Sequence, residues 1–249
     1  MTSNRLLRPL LASIALPLAL AACGSSDDAA TGAPKAEAIA AIPAPAGQSW
    51  NEVASETPEG GILSGNPDAP IKLVEYASHT CSHCADFSKE GAAGMEEAVA
   101  TGRVSYELRN QIHDGLDLTM ALLVRCAPPA ASHALATQAW ANLEGIFTTA
   151  QGNQAAMQAA MQSQGPDRFQ KIAEAAGLLD FFGSRGISRE AAGKCLADTA
   201  KADLIVKNST EQSEELKVDG TPFFFLNGSP LPARSWPEVK AALEQAGAR

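Results

Sequence analysis

Cys81 and Cys84 are separated by Ser82 and His83, and two thiols at that spacing can close into a small disulfide ring or open to a dithiol. The motif opens a helical stretch from Ser82 to about Ala100. At a helix start, unpaired N–H groups and the positive end of the peptide dipoles stabilise an anion, here the Cys81 thiolate. His83 lies inside the ring and adds a donor, or a cation when protonated, that favours thiolate over thiol. In such surroundings a cysteine pKa falls from about 8.5 to roughly 3.5–7.5. Thr221-Pro222 stands just before a late apolar run. A cis proline there would lay the preceding backbone open to a peptide.

Strands must hold these groups in place. Ile71–Ala77 is apolar and β-prone and follows the turn-like Gly65-Asn66-Pro67-Asp68. Arg103–Arg109 alternates and reads as a second strand. Strand, cysteine motif, helix and strand make a βαβ unit, which predicts parallel strands and a right-handed crossover. From Leu116 to Leu216 strand signals vanish and Ala, Gln, Leu and Glu dominate. Ala136, Trp140 and Leu143 fall at helical spacing, as do Phe169, Ile172, Ala173, Ala176 and Leu179 after Gly165-Pro166. With Met157 and Met161 these positions read as core, in a helical insertion covering one side of the sheet. Phe223–Leu226 is a short strand, Asn227-Gly228 a hairpin turn, and Leu231 begins the return strand. Ser235-Trp236-Pro237-Glu238 reads as a capping box for a last helix to about Gln245.

The 249-residue chain has an ordinary globular balance, and its net charge of −9 argues against nucleic acid as a partner. Arg5 and Arg8 precede an apolar stretch from Leu10 to Ala22 that is too short to span a bilayer. Residues 1–22 therefore read as a signal peptide. Leu20-Ala21-Ala22-Cys23 resembles a bacterial lipobox, which implies lipidation of Cys23 and anchoring to a membrane. The alternative is an ordinary signal peptide whose end happens to precede a cysteine. Residues 23–56 are rich in Ala, Pro and Gly and read as a flexible tether. Five cysteines are an odd number for an exported protein, and lipidation of Cys23 absorbs one. An oxidising compartment makes Cys126–Cys195 a natural structural disulfide. Two buried free cysteines are the alternative.

The stretch Gly65-Asn66-Pro67-Asp68-Ala69-Pro70, then Val74-Glu75-Tyr76 and Cys81-Ser82-His83-Cys84-Ala85-Asp86-Phe87, resembles the opening of the DsbA branch of the thioredoxin superfamily. Val218-Asp219-Gly220-Thr221-Pro222-Phe223-Phe224 resembles that branch's cis-proline segment. The resemblance implies an α/β thioredoxin fold over residues 57–114 and 217–249, with an inserted helical domain at 115–216. It implies a thiol:disulfide oxidoreductase that needs no cofactor beyond its cysteine pair. Cys81 would be the exposed, attacked sulfur and Cys84 the buried resolving partner. His83 would tune the thiolate, and Thr221 and Pro222 would bind substrate. Glu75, where the family carries a buried acid, would be a proton relay for Cys84; a satisfied or edge carboxylate is the alternative. Partners would be exported cysteine-containing proteins and a membrane redox partner that recycles the pair. The location would be the bacterial periplasm, anchored at the inner or the outer membrane. Ser82 departs from the branch's usual Pro-His dipeptide, so oxidase is the first expectation, with reductase or isomerase beside it.

Two rival readings come from other classes. His79, Cys81, His83 and Cys84 are soft ligands close in sequence that suit Cu(I) or Zn²⁺, with His113 and His133 as further candidates. Alternatively, the motif is only a stabilising disulfide, with an unreactive Cys81.

Overall fold

The computed structural model describes residues 36–249. Cys23, the expected signal peptide of residues 1–22 and residues 23–35 of the expected tether lie outside the described residues. Six strands are described: Ala54–Glu56 (β1), Ile62–Gly65 (β2), Ile71–Ala77 (β3), Val104–Asn110 (β4), Phe223–Leu226 (β5) and Ser229–Leu231 (β6). Among the described residues they form one sheet in the order β1-β2-β4-β3-β5-β6. β3 and β4 pair in parallel through helix α1 (Ser82–Ala100), and the other neighbours are antiparallel. The fold is a thioredoxin fold with an inserted helical domain.

Alternation in the central strands separates two faces. Ile71 and Leu73 of β3, Val104 of β4 and Phe224 of β5 are buried on one face against Phe87, Met95 and Val99 of α1. Each such side chain contributes roughly 1.5–3 kcal/mol by leaving water. Tyr76 and Phe225 occupy the other face. Helix α1 also meets the last helix at close range, where a Cβ at Gly94 would collide with the Trp236 ring.

The tether expected over residues 23–56 fails over its described part. The Ala36 N–H donates to Gln245 O, the Ile39 N–H to Gly247 O and the Ile42 N–H to Thr101 O. Ile39, Ile42 and Val53 pack onto the core beside buried Trp50, and Ala54–Glu56 enters the sheet. The apolar residues of this extended segment each pin one point, so they show no period. Gly65 also differs from expectation, because it ends β2 rather than opening a turn. Its φ of +100° and the closeness of Val99 Cγ1, 2.8 Å from where a Cβ would lie, both require glycine. The turn starts one residue later, where Asn66 Oδ1 accepts the Asp68 N–H at 3.0 Å.

The insertion comprises α2 (Gly115–Val124), α3 (Pro129–Ala141), α4 (Leu143–Gly152), α5 (Gln154–Gln162), α6 (Arg168–Ala175), α7 (Leu178–Gly183), α8 (Arg189–Leu196) and α9 (Thr199–Leu216). The residues expected at helical spacing are buried, but breaks fall inside both runs. Leu143 belongs to α4 rather than α3, and Gly177, at φ +71°, separates Leu179 from α6. The insertion does not keep to one side of the sheet. His133 of α3 reaches Ile62 O and stacks near Tyr106, while Gln212 of α9 accepts from Tyr76 OH on the opposite face. The late hairpin turns at Asn227 and Gly228, whose φ values of 50° and 79° suit that pair. Its return strand starts at Ser229, two residues before the expected Leu231. Helix α10 (Trp236–Gln245) follows, and the Glu238 carboxylate accepts the Arg234 and Ser235 N–H groups.

Cys126, just after α2, is bonded to Cys195 of α8, with a sequence separation of 69. Closing a loop of that size restricts the unfolded chain and stabilises by about 2–4 kcal/mol. Replacing both residues by Ala is expected to lower the unfolding free energy by that amount, measured by denaturant titration. Disulfide exchange at Cys81 should be unaffected below the new transition.

Candidate active site

Cys81 caps the N-terminus of α1, and its sulfur accepts the Cys84 N–H at 3.3 Å. The strand exit before it is fixed by Asp117 of α2. The Asp117 carboxylate accepts the His79 N–H at 2.7 Å and the His113 N–H at 2.9 Å. It therefore ties the turn after β3 to the turn after β4, and burial pushes its pKa up to about 6. The Trp140 indole donates to Ser78 O from the α3 side. The reactive turn is thus held from two directions before any substrate arrives.

Cys81 is 9% exposed and Cys84 fully buried. The expected order of exposure holds, but Cys81 is far more enclosed than an exposed sulfur. The Cys81 pKa is lowered to about 5. Donation from the Cys84 thiol contributes most, burial opposes, and the Thr221 side chain and the N–H groups of Cys84 and His83 add to the lowering. Burial drives the Cys84 pKa far above its ordinary value, with the Cys81 sulfur and the Glu75 charge acting in the same direction. One thiol ionises readily and its neighbour does not.

The other side of the sulfur is formed by the segment before β5. The Thr221-Pro222 peptide is cis, and Cys81 Sγ lies 3.4 Å from Thr221 O. Thr221 Oγ1 is in turn 3.4 Å from His113 Nε2. A groove of about 550 Å³ runs beside this contact, lined by His83, Asp86, Glu90, Asp219 and Pro222. Arg234 bonds to Pro222 O and faces Asp219 at 3.7 Å. Ser82 and His83 are exposed at the helix start. The part of His83 that stabilises the Cys81 thiolate is its backbone N–H; the imidazole lines the groove.

Glu75 is 1% exposed in the middle of β3, opposite Leu108 and Phe224. Its Oε2 accepts from Tyr106 OH, and its Oε1 has no hydrogen-bond partner. Burial raises its pKa to about 8, against the Tyr106 hydrogen bond and with a further push from Cys81. The carboxyl is therefore neutral at pH 7 and can act as an acid.

The ligands proposed for a metal do not converge. His79 is buried against Trp140, with ring centroids 5.3 Å apart, and burial lowers its pKa to about 3. His83 is exposed in the groove, His113 stands by Thr221, and His133 is bonded to Ile62 O. Among the described residues no group of three or more His, Cys, Asp or Glu is placed to hold a metal ion.

Sequence reasoning missed Tyr106, Asp117 and Arg234. Tyr106 carried a usable signal, because in a parallel β3–β4 pair the alternation of β4 puts it on the Glu75 face. Asp117 and Arg234 act through contacts across 38 and 12 residues, which leave no local pattern.

Residues 57–245 match the family model described as Thioredoxin, and the chain belongs to that family. Within it, the resemblance is to protein-disulfide oxidoreductases and isomerases. The chain is 25% identical over 189 residues to a Rickettsia bellii protein named "Putative protein-disulfide oxidoreductase". A Rickettsia conorii protein of similar name is 24% identical over 196 residues. The matches cover 76% and 78% of this chain, but only 65% and 63% of those two proteins. Among solved structures, the protein-disulfide isomerase from Novosphingobium aromaticivorans is 29% identical, with a TM-score of 0.68 over 73% of this chain and 94% of that one. Wolbachia pipientis alpha-DsbA1 shares the fold at 20% identity and a TM-score of 0.61, over 80% of this chain and 96% of its own.

Proposed function

We propose that this chain is a DsbA-type thiol:disulfide oxidoreductase that introduces disulfides into exported proteins through Cys81 and Cys84. The observation that carries this reading is the asymmetry of the pair. Cys81 is held as a ready thiolate at a helix start beside Thr221 O, and Cys84 is held as a thiol.

In the oxidised enzyme, a client thiolate attacks Cys81 Sγ. The new S–S bond forms as the Cys81–Cys84 bond breaks, and Cys84 leaves as a thiolate. Glu75, neutral at pH 7, supplies its proton. A second client thiolate then attacks the client sulfur of the mixed disulfide and expels Cys81 as a thiolate. Two electrons pass from the client sulfurs to the enzyme pair. Starting from two client thiols, one proton ends on Cys84 and one is released. Stabilising the Cys81 thiolate stabilises the reduced enzyme, which makes the couple more oxidising.

His83 and Pro222 line the groove where the client backbone is expected to lie, next to Thr221. The wider setting joins the expected leader to the family resemblance: Cys23 lipidated, the domain facing the periplasm, and a membrane redox partner re-oxidising the pair. A second reading is favoured by the likeness to the Novosphingobium isomerase. There the Cys81 thiolate would attack client disulfides. The potential of the couple measured against glutathione separates the two, since a strongly oxidising value suits an oxidase and a reducing one the isomerase or reductase.

Glu75→Gln tests the proton relay. The amide can still accept from Tyr106 but cannot give a proton to Cys84. Exchange with a dithiol peptide is expected to slow on the order of 10²-fold. Stability should move the other way. The Glu75 pKa is raised from 4.5 to about 8 on folding, so the native protein loses stability as pH rises across that interval. The variant should therefore be the more stable protein at about pH 8, with the difference vanishing below about pH 4.5. A slow variant that is also less stable at the higher pH would point to damage rather than to a lost proton donor.

A further inference from the structure

The groove beside the reactive sulfur carries an uneven charge. His83, Asp86 and Glu90 of α1 follow one another along one wall, and Asp219, Pro222 and Arg234 stand on the other. Three carboxylates thus share one guanidinium. That guanidinium is already engaged: Arg234 bonds to Pro222 O, faces Asp219 at 3.7 Å and lies over the Phe223 ring, 5.3 Å from its centre. Asp86 and Glu90 are exposed and take part in no ion pair among the described residues. Lys89, the one Lys or Arg of α1, is not part of the groove lining.

The helix itself does not call for these two charges. A carboxylate favours a helix within the first turn, but Asp86 is the fifth residue of α1 and Glu90 the ninth. Four positions apart on one face, they repel each other and weaken the helix slightly. Their spacing does suit an extended peptide. At 1.5 Å per residue, Asp86 lies about 7.5 Å along the helix axis from Cys81, and Glu90 about 13.5 Å. A peptide following the groove advances about 3.3 Å per residue, so these levels match roughly its second and fourth residues from the cysteine on Cys81.

We infer that the groove selects client segments with Lys or Arg about two and four positions from the reacting cysteine, read by Asp86 and Glu90. The inference rests on the proposed oxidoreductase function and adds a client chemistry to it. Cys81 Sγ and Thr221 O define the site, and the two acids discriminate only among the clients that reach it. Cationic side chains meet both carboxylates at a wet rim, so the selection acts mainly on the rate of encounter and weakens with salt. An acidic client segment is repelled at the same two levels.

The test mixes oxidised protein with dithiol peptides carrying Lys, Gln or Glu at the second and fourth positions from the reacting cysteine, in one series on each side of it. Acid quenching, alkylation and intact mass give the rate at which Cys81–Cys84 becomes reduced. Each rate is divided by that of the same peptide with oxidised glutathione, which removes differences in intrinsic thiol reactivity. At low ionic strength the Lys peptide of one series is expected to outpace its Glu counterpart about tenfold, falling below about twofold in 0.5 M salt. The double variant Asp86→Asn/Glu90→Gln should lose most of the preference, and Asp86→Lys/Glu90→Lys should invert it. A control, Glu144→Gln/Asp203→Asn, removes the same net charge from α4 and α9 and should keep it. Equal normalised rates in both series overturn the inference. So does a preference that survives Asp86→Asn/Glu90→Gln, or one lost equally in the control. Reduction by none of the peptides would instead overturn the oxidoreductase function beneath it.

Discussion

Cys81→Ala is expected to reduce disulfide transfer to the uncatalysed background, while Cys84→Ala accumulates client as a mixed disulfide on Cys81. The difference follows from burial and charge. Cys81 is the sulfur beside Thr221, with its pKa lowered to about 5. Cys84 is fully buried one turn into the helix and holds its proton. Without Cys81 no client reaches the remaining thiol. Without Cys84 the first exchange still occurs when Cys81 is supplied in activated form, but nothing internal can displace the client. Non-reducing gels and intact mass spectrometry read both results. Full turnover by Cys84→Ala, or residual transfer by Cys81→Ala, would require a different nucleophile.

The second large effect is on the pH dependence of the couple. While Cys81 stays ionised, reduction takes up one proton for two electrons, and the potential falls by about 30 mV per pH unit. Below about pH 5 Cys81 is protonated as well, two protons are taken up, and the slope becomes about 59 mV per unit. Titrating the potential from about pH 3 to pH 7 should show that break near pH 5. A single steep slope through neutrality would mean that Cys81 remains a thiol there, and the electrostatic account would fall. Stability must agree in sign. The Cys81 pKa is lower folded than the ordinary 9.0, so its ionisation favours the folded reduced protein. That gain is full above about pH 9, shrinks as pH falls, and is gone below about pH 5. The oxidised protein lacks it, so the melting temperature of the reduced form should rise relative to that of the oxidised form as pH rises over the same interval.

The reactive centre was legible because its signals are local. Two cysteines at a helix start, a Thr-Pro before an apolar strand and a Glu within β3 each need only a few residues to be recognised. The parallel pairing of β3 and β4 followed from the βαβ order, and the hairpin from Asn227-Gly228. What stayed hidden is built from distant contacts. Ala36, Ile39 and Ile42 are held by single hydrogen bonds to Gln245, Gly247 and Thr101, and the Ala- and Pro-rich composition around them suggests a linker. The grip of Asp117 on two separate turns depends on where α2 lands. The breaks between α3 and α4 and between α6 and α7 leave the apolar spacing almost intact, so spacing alone joins them.

The bond between Cys126 and Cys195 has an implication for how each molecule matures. On the proposed function, a newly exported copy brings four thiols besides Cys23 that must be sorted into two pairs. One pair is separated by three positions and the other by 69, so chain entropy favours the nearer meeting. The electron-accepting ring can form early, while the crosslink that braces the helices waits for the insertion to gather. On the proposed function, finished copies of this protein could serve as midwives for that later bond in their successors, which would tie the supply of working enzyme to the amount already made.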